Sequence, residues 1–210
     1  MNLDQCIRTR RSVRKFTTKH LDDETIAMIV EAAQYAPSSG NVQNWRLIVM
    51  RDAKKREAIT KACGKEHSWL GKAPVIIIVC SEMDEMKRLY GAKGEKMYAI
   101  QNCAAAIQNI LLQAHSLGIG SCWVGEFDEK EIKAIGELEG HVEPQAIIAL
   151  GYAKESPETP QRDPIEHMVF FEKYGKREMP AGRKSIIPFG NAITEELEKI
   201  KAKLHGIKKN

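Results

Sequence analysis

The side chains best suited to chemistry in this chain are cations and small polar groups, and they fall in three places. The first is Thr9-Arg10-Arg11-Ser12-Val13-Arg14-Lys15-Phe16. Arg10 and Arg14 offer forked guanidinium donors and Ser12 a hydroxyl, which suits an oxyanion; a basic run of this kind equally suits a solvated cationic loop. The second is Pro37-Ser38-Ser39-Gly40-Asn41-Val42-Gln43-Asn44-Trp45. Trp45 leads it into the apolar run Leu47-Ile48-Val49-Met50, so its donors and acceptors are held at a strand end, where sheet-based scaffolds place ligands. The third is Arg162, in the proline-rich residues 155–164, where composition fits either a surface arginine or a ligand contact. Cys122 reads as a small buried thiol.

Other chemistries lack their residues. The five cysteines, Cys6, Cys63, Cys80, Cys103 and Cys122, form no Cys-x-x-Cys pair, and the six histidines are scattered. Iron–sulfur, zinc-ribbon, thioredoxin-like and other metal sites therefore have no ligand set. Gly118-Ile119-Gly120-Ser121-Cys122-Trp123 lacks the last glycine of a dinucleotide fingerprint and follows a helix rather than a strand. There is no Gly-x-x-x-x-Gly-Lys-Ser/Thr. A net charge of +4, from 32 basic and 28 acidic residues, argues against nucleic acid as a partner. No apolar run reaches the roughly 18 residues of a membrane span, and the start MNLDQCIRTRR has no signal-peptide apolar region. The expected compartment is the cytoplasm, where all five thiols stay reduced.

The elements that must position these groups are organised around residues 97–127. Ile100, Cys103, Ala104, Ile107, Ile110, Leu111, Ala114 and Leu117 recur at helical spacing, and Ala99, Ala105, Ala106 and Leu112 carry apolar character beyond that stripe. Such a helix has neighbours on most sides, in the core or across a subunit interface. Gly118 stops it, and a short strand follows over residues 121–124. Before it, Asn2 or Asp4 caps a short first helix, a capped helix runs to about Tyr35, a charged surface helix covers residues 53–62, and Ser68-Trp69-Leu70 forms a helical turn. Val75-Ile76-Ile77-Ile78-Val79-Cys80 is apolar on both faces and belongs in the middle of its sheet. Residues 82–96 carry eight charges among fifteen positions, which suits a mobile lid or an ordinary exposed helix. Asp128 caps a helix through Ile132 and Ile135, residues 145–152 form another buried strand, and a charged helix over residues 192–204 precedes a basic tail. One α+β domain with about four strands results.

Taken in order, these motifs resemble the FMN-dependent nitroreductase family. The resemblance rests on Arg10-Arg11-Ser12-Val13-Arg14-Lys15-Phe16, on Pro37 to Trp45, on the helix ending in Trp123-Val124-Gly125, and on Gly151-Tyr152 followed by the arginine-bearing proline segment. It covers roughly residues 3–175, leaving an extension over about 176–210 within a single domain of residues 1–210. It implies an α+β fold with a central, mostly antiparallel sheet flanked by helices, in an intertwined homodimer holding FMN at its interface.

The resemblance also implies residue roles. Arg10, Ser12 and Arg14 would clamp the FMN phosphate and the polar edge of the flavin, Arg11 would add main-chain contacts, and Arg162 would reach the phosphate. Pro37, Ser38, Ser39, Asn41 and Gln43 would approach from the partner subunit, and Val124 and Gly125 would present backbone near the reactive edge. Asn44 stands where the family commonly has proline, which implies a less rigid loop. The implied activity is a ping-pong, two-electron reduction of nitroaromatics, quinones or similar electron-poor acceptors by NADH or NADPH, with no side chain as acid or nucleophile. A dehalogenase or flavin-degrading enzyme on the same scaffold, or a non-catalytic FMN store, are the alternative readings.

Overall fold

Four strands, β1 (Trp45–Met50), β2 (Val75–Glu82), β3 (Gly120–Val124) and β4 (Val142–Gly151), form one sheet in the order β1-β2-β4-β3, and every neighbouring pair is antiparallel. The coordinates are a computed structural model that describes residues 1–177. The helix expected over residues 192–204 and the basic tail lie outside the described residues.

The sheet is central because its two inner strands are apolar on both faces. In β2, Val75, Ile77 and Val79 pack on one side and Ile76, Ile78 and Cys80 on the other. β4 divides likewise, with Ala146, Ile148 and Leu150 against Ile147 and Ala149. Strands buried on both sides cannot alternate with polar residues, which is why each reads as a continuous apolar run.

Helices cover both faces. On the first lie α2 (Asp23–Glu31), which passes into a 3-10 turn at Ala32–Tyr35, and α5 (Ala99–Ser116), which buries Cys103, Ala106, Ile107, Ile110, Leu111 and Ala114. On the second lie α3 (Ala53–Ala62) and α6 (Glu129–Gly136), through Ile59 and Ile132. Helix starts follow side-chain caps: Asn2 with Gln5 for α1 (Leu3–Thr9), Asp22 on the Thr25 N–H at 2.7 Å, and Asp128 on the Glu131 N–H at 2.9 Å. Residues 82–96 adopt the helical alternative, as α4 (Asp84–Lys93) and a π turn over Gly94–Tyr98 leading into α5.

The expected stripe of α5 is buried at Cys103, Ile107, Ile110, Leu111 and Ala114, and departs from expectation at its two ends. Ala99 and Asn102 are buried, whereas Ile100 is 48% exposed and Leu117 37%. The buried Asn102 amide is held by hydrogen bonds to Ser39 and Asn44.

By contact the chain divides into two units, Met1–Thr159, which holds the sheet, and Pro160–Asn210. The described part of the second contains α7 (Ile165–Met168) and the Phe170–Tyr174 ring pair at 4.7 Å.

Candidate active site

After α1 the basic run is held along the outer edge of β3. The Val13 N–H donates to the Ser121 carbonyl at 2.9 Å, and Ser12 bridges Ser121. Val13 and Phe16 are buried in the core. The fit is close: a Cβ on Gly120 would lie 3.0 Å from Val13 Cγ1 and 3.1 Å from the Gly151 carbonyl oxygen. With these apolar anchors inside, Arg10 and Ser12 are half-buried and Arg14 is exposed.

The electrostatics favour an anion. Among the described residues neither the Arg10 nor the Arg14 guanidinium has a carboxylate partner; Arg14 lies over the Trp69 ring, 6.0 Å from its centroid. The nearest acid, Glu155, accepts the Arg14 and Lys15 backbone N–H groups and pairs with Lys15 Nζ at 3.6 Å. Cys122 sits within reach of these cations. Burial pushes its thiol above the ordinary value, against the opposing influence of Arg14, a Ser12 hydrogen bond and Arg10.

Arg11 turns to a different set of partners. Its Nη1 donates to the Arg8 and Arg10 carbonyls and its Nη2 to Thr159 Oγ1, each at 2.7 Å. It lines a cavity of about 380 Å³ with Thr9, Val13, His115, Ser121 and Glu155. Two buried polar atoms on that lining, Arg11 Nε and Ser121 Oγ, have no partner among the described residues. Burial, with Arg10 and Arg11 nearby, lowers the His115 pKa and favours the neutral ring, and its Nε2 lies 2.8 Å from Thr9 Oγ1. A larger cavity of about 470 Å³ between α1, α2 and α5 is lined by no lysine or arginine and offers no cation to a phosphate.

The loop over residues 37–43 lies elsewhere. Pro37 and Asn41 are exposed, and Ser38, Ser39 and Gln43 half-buried. Ser38 Oγ accepts the Gln43 N–H at 3.1 Å and Gln43 Nε2 donates to Asn41 Oδ1 at 3.2 Å. The loop leads into β1, at the sheet edge opposite β3. Within one chain it is thus separated from the β3 edge by three strand spacings, about 14 Å. Val124 and Gly125 lie at the end of β3, Val124 buried and Gly125 exposed. Arg162 belongs to the second unit and is exposed. One chain therefore gathers Arg10, Arg11, Ser12, Arg14, Val124 and Gly125 along one edge, and carries Pro37, Ser38, Ser39, Asn41 and Gln43 on the other.

The sequence profile described as the Nitroreductase family matches residues 7–68 and 63–152. This chain belongs to the nitroreductase family. A relative from Archaeoglobus fulgidus, named as an NADH dehydrogenase/NAD(P)H nitroreductase, is 35% identical over 168 residues, spanning 77% of this chain and 92% of the relative. An FMN reductase (NAD(P)H) of Bacillus subtilis is 26% identical, over 78% of this chain and 71% of its own length. Among solved structures, an FMN-dependent nitroreductase from Clostridium difficile superposes with a TM-score of 0.71 at 25% identity, covering 82% of this chain and all of that one. The α+β nitroreductase-like fold is borne out.

For a nitroreductase-family chain, three features of the site escaped sequence reasoning. The unpartnered Ser121 hydroxyl and the His115–Thr9 pair have no local signature, because they meet only through tertiary packing. Asn102 had one: a polar side chain inside a helix that is otherwise apolar. The expected looseness at Asn44 is corrected, since its side chain is buried and bonds Ser81 Oγ at 2.6 Å and the Ala99 carbonyl at 3.3 Å. These bonds tether the loop where a proline ring would have stiffened it. Among the described residues no helix is long and apolar enough to cross a membrane, and no group of three or more His, Cys, Asp or Glu side chains could hold a metal ion.

Proposed function

We propose that this protein is an FMN-dependent oxidoreductase that uses NADH or NADPH for ping-pong, two-electron reduction of nitroaromatics, quinones or similar electron-poor acceptors. The observation that carries the reading is the pair of guanidinium groups on Arg10 and Arg14 without a carboxylate partner among the described residues. On the same run and on the neighbouring strand, Arg11 Nε and Ser121 Oγ line a cavity with unmet hydrogen-bonding capacity. FMN brings a phosphate with close to two negative charges and a hydroxylated chain, which match such a donor set. When bound, FMN supplies the hydride chemistry that no side chain here provides.

The chain's own residues bind and orient. Arg10 and Ser12 hold the phosphate. Arg11 contributes main-chain contacts. Arg14 faces the flavin edge where negative charge develops on reduction, and stabilises it. Val124 and Gly125 offer backbone groups to the reactive edge. Pro37, Ser38, Ser39, Asn41 and Gln43 close the site from the partner subunit, for which the separation of the two sheet edges and the exposed Met97 and Ile100 beside α4 and α5 are the support. The proposed assembly is a cytoplasmic homodimer.

An anaerobic absorption titration tests this reading. Purified protein supplied with FMN should show a bound flavin band that NADPH or NADH bleaches and a quinone or nitroaromatic restores. A flavin that binds and stays oxidised supports a store instead, and failure to bind FMN removes the proposal.

A further inference from the structure

Two buried amides face one another beneath the Ser38–Asn41 turn. Asn44 is 2% exposed and Asn102 4%. Asn102 Nδ2 donates to Asn44 Oδ1 at 2.7 Å, and Asn44 Nδ2 donates onward to Ser81 Oγ and the Ala99 carbonyl. Asn102 Oδ1 accepts the backbone N–H of Ser39 at 3.0 Å and the Ser39 hydroxyl at 3.4 Å. All four amide heteroatoms are engaged, so the pair is buried without an unpaired group.

The turn needs such an anchor. Gly40, Asn41 and Gln43 have φ of 59°, 58° and 51°; glycine and asparagine reach this left-handed region readily, whereas glutamine is strained there and has to be held. Asn102 reaches it from α5, at the one buried position of that helix occupied by a polar side chain. An apolar residue there would pack as well but leave the Ser39 N–H without its acceptor.

We propose that Asn102, held in place by Asn44 and Ser81, is a positioning residue for the cofactor: it sets the Ser39 main chain and with it the turn that closes over the flavin. The proposal rests on the FMN reading above. Asn44, in place of the family's usual proline, is then half of a hydrogen-bonded clamp.

The test compares Asn102→Leu with Asn102→Asp in the full-length holoprotein. The readouts are the FMN dissociation constant from flavin fluorescence, the visible circular dichroism of the bound flavin, and the melting temperature. Aspartate keeps an acceptor for the Ser39 N–H and, protonated at this buried position, donates its O–H to Asn44 Oδ1; leucine does neither. N102L should raise the dissociation constant about tenfold or more and alter the flavin dichroism, while N102D stays within about threefold of wild type. Stability should run the other way, because a buried carboxyl group is costlier than leucine. Affinities that follow the melting temperatures, or two variants that bind like wild type, overturn the proposal. If N102L does not fold, Asn102→Ala supplies the same comparison. A wild-type protein that binds no FMN overturns the cofactor reading itself, and this proposal with it.

Discussion

Glu155 accepts the backbone N–H of Arg14 at 2.8 Å, and that of Lys15 at 3.1 Å, so the acid beside the basic run is spent on the main chain and leaves the Arg14 guanidinium without a counter-charge. The Arg14 N–H bond, reinforced by Lys15, holds the Glu155 carboxyl below the usual glutamate range. A depressed folded-state pKa contributes stability that is present above the unfolded value of about 4.3 and lost as pH falls through the folded value. Urea unfolding across about pH 3 to 7 should show wild-type stability declining at the acid end, with a smaller decline in Glu155→Gln. Equal declines would exclude this role.

Arg10 and Arg14 should separate by ligand. In the proposed site Arg10 contacts the phosphate, a contact worth about 1.5–3 kcal/mol, so Arg10→Ala should weaken FMN by about tenfold or more and leave riboflavin binding nearly unchanged. Arg14→Ala should weaken both and make the bound flavin harder to reduce. Fluorescence titrations with the two flavins, with a potentiometric titration for Arg14→Ala, decide the assignment. A loss of riboflavin affinity in Arg10→Ala would move that side chain away from the phosphate.

Gly40 ties the loop to α4. A Cβ there would clash with the Tyr90 hydroxyl, and Gly40 has φ +59°. Tyr90 is itself packed edge-on against Tyr98, with ring centroids 5.4 Å apart. Gly40→Ala should therefore cost about 1–2 kcal/mol, part conformational and part steric. Adding Tyr90→Ala should recover only the steric part, read as a coupling energy in a double-mutant cycle by urea unfolding. Simple additivity would show that Tyr90 does not press on the turn.

All five cysteines are buried. Burial raises the thiol pKa of Cys63 to about 11 and those of Cys80 and Cys103 to about 12. Because the thiolate is the reactive form, the folded protein at pH 8 should resist a thiol reagent on the minute scale, whereas in guanidinium chloride all five should react. Rapid modification of a native thiol would show that one of these side chains opens to solvent.

The unbroken apolar runs around Ile77 and Ile148 and the caps at Asp22 and Asp128 are local patterns, and local patterns made most of the element positions legible. Periodicity was a weaker guide at the start of α5. It counted Ile100 in the buried stripe because it is apolar, yet that side chain is exposed, while the polar Asn102 is buried.

The basic run at Arg10 to Arg14, the polar turn at Ser38 to Gln43 and the glycine-edged strand through Val124 are properties of the chain alone, because each is set by residue type and near-neighbour spacing. Their division between opposite edges of the sheet is not, since the strand order β1-β2-β4-β3 follows from long-range pairing that no short window contains. The amide clamp of Asn44 on Asn102 belongs to the same class: two side chains 58 positions apart bond only because packing brings α5 beneath the loop, where a buried polar group must find a partner.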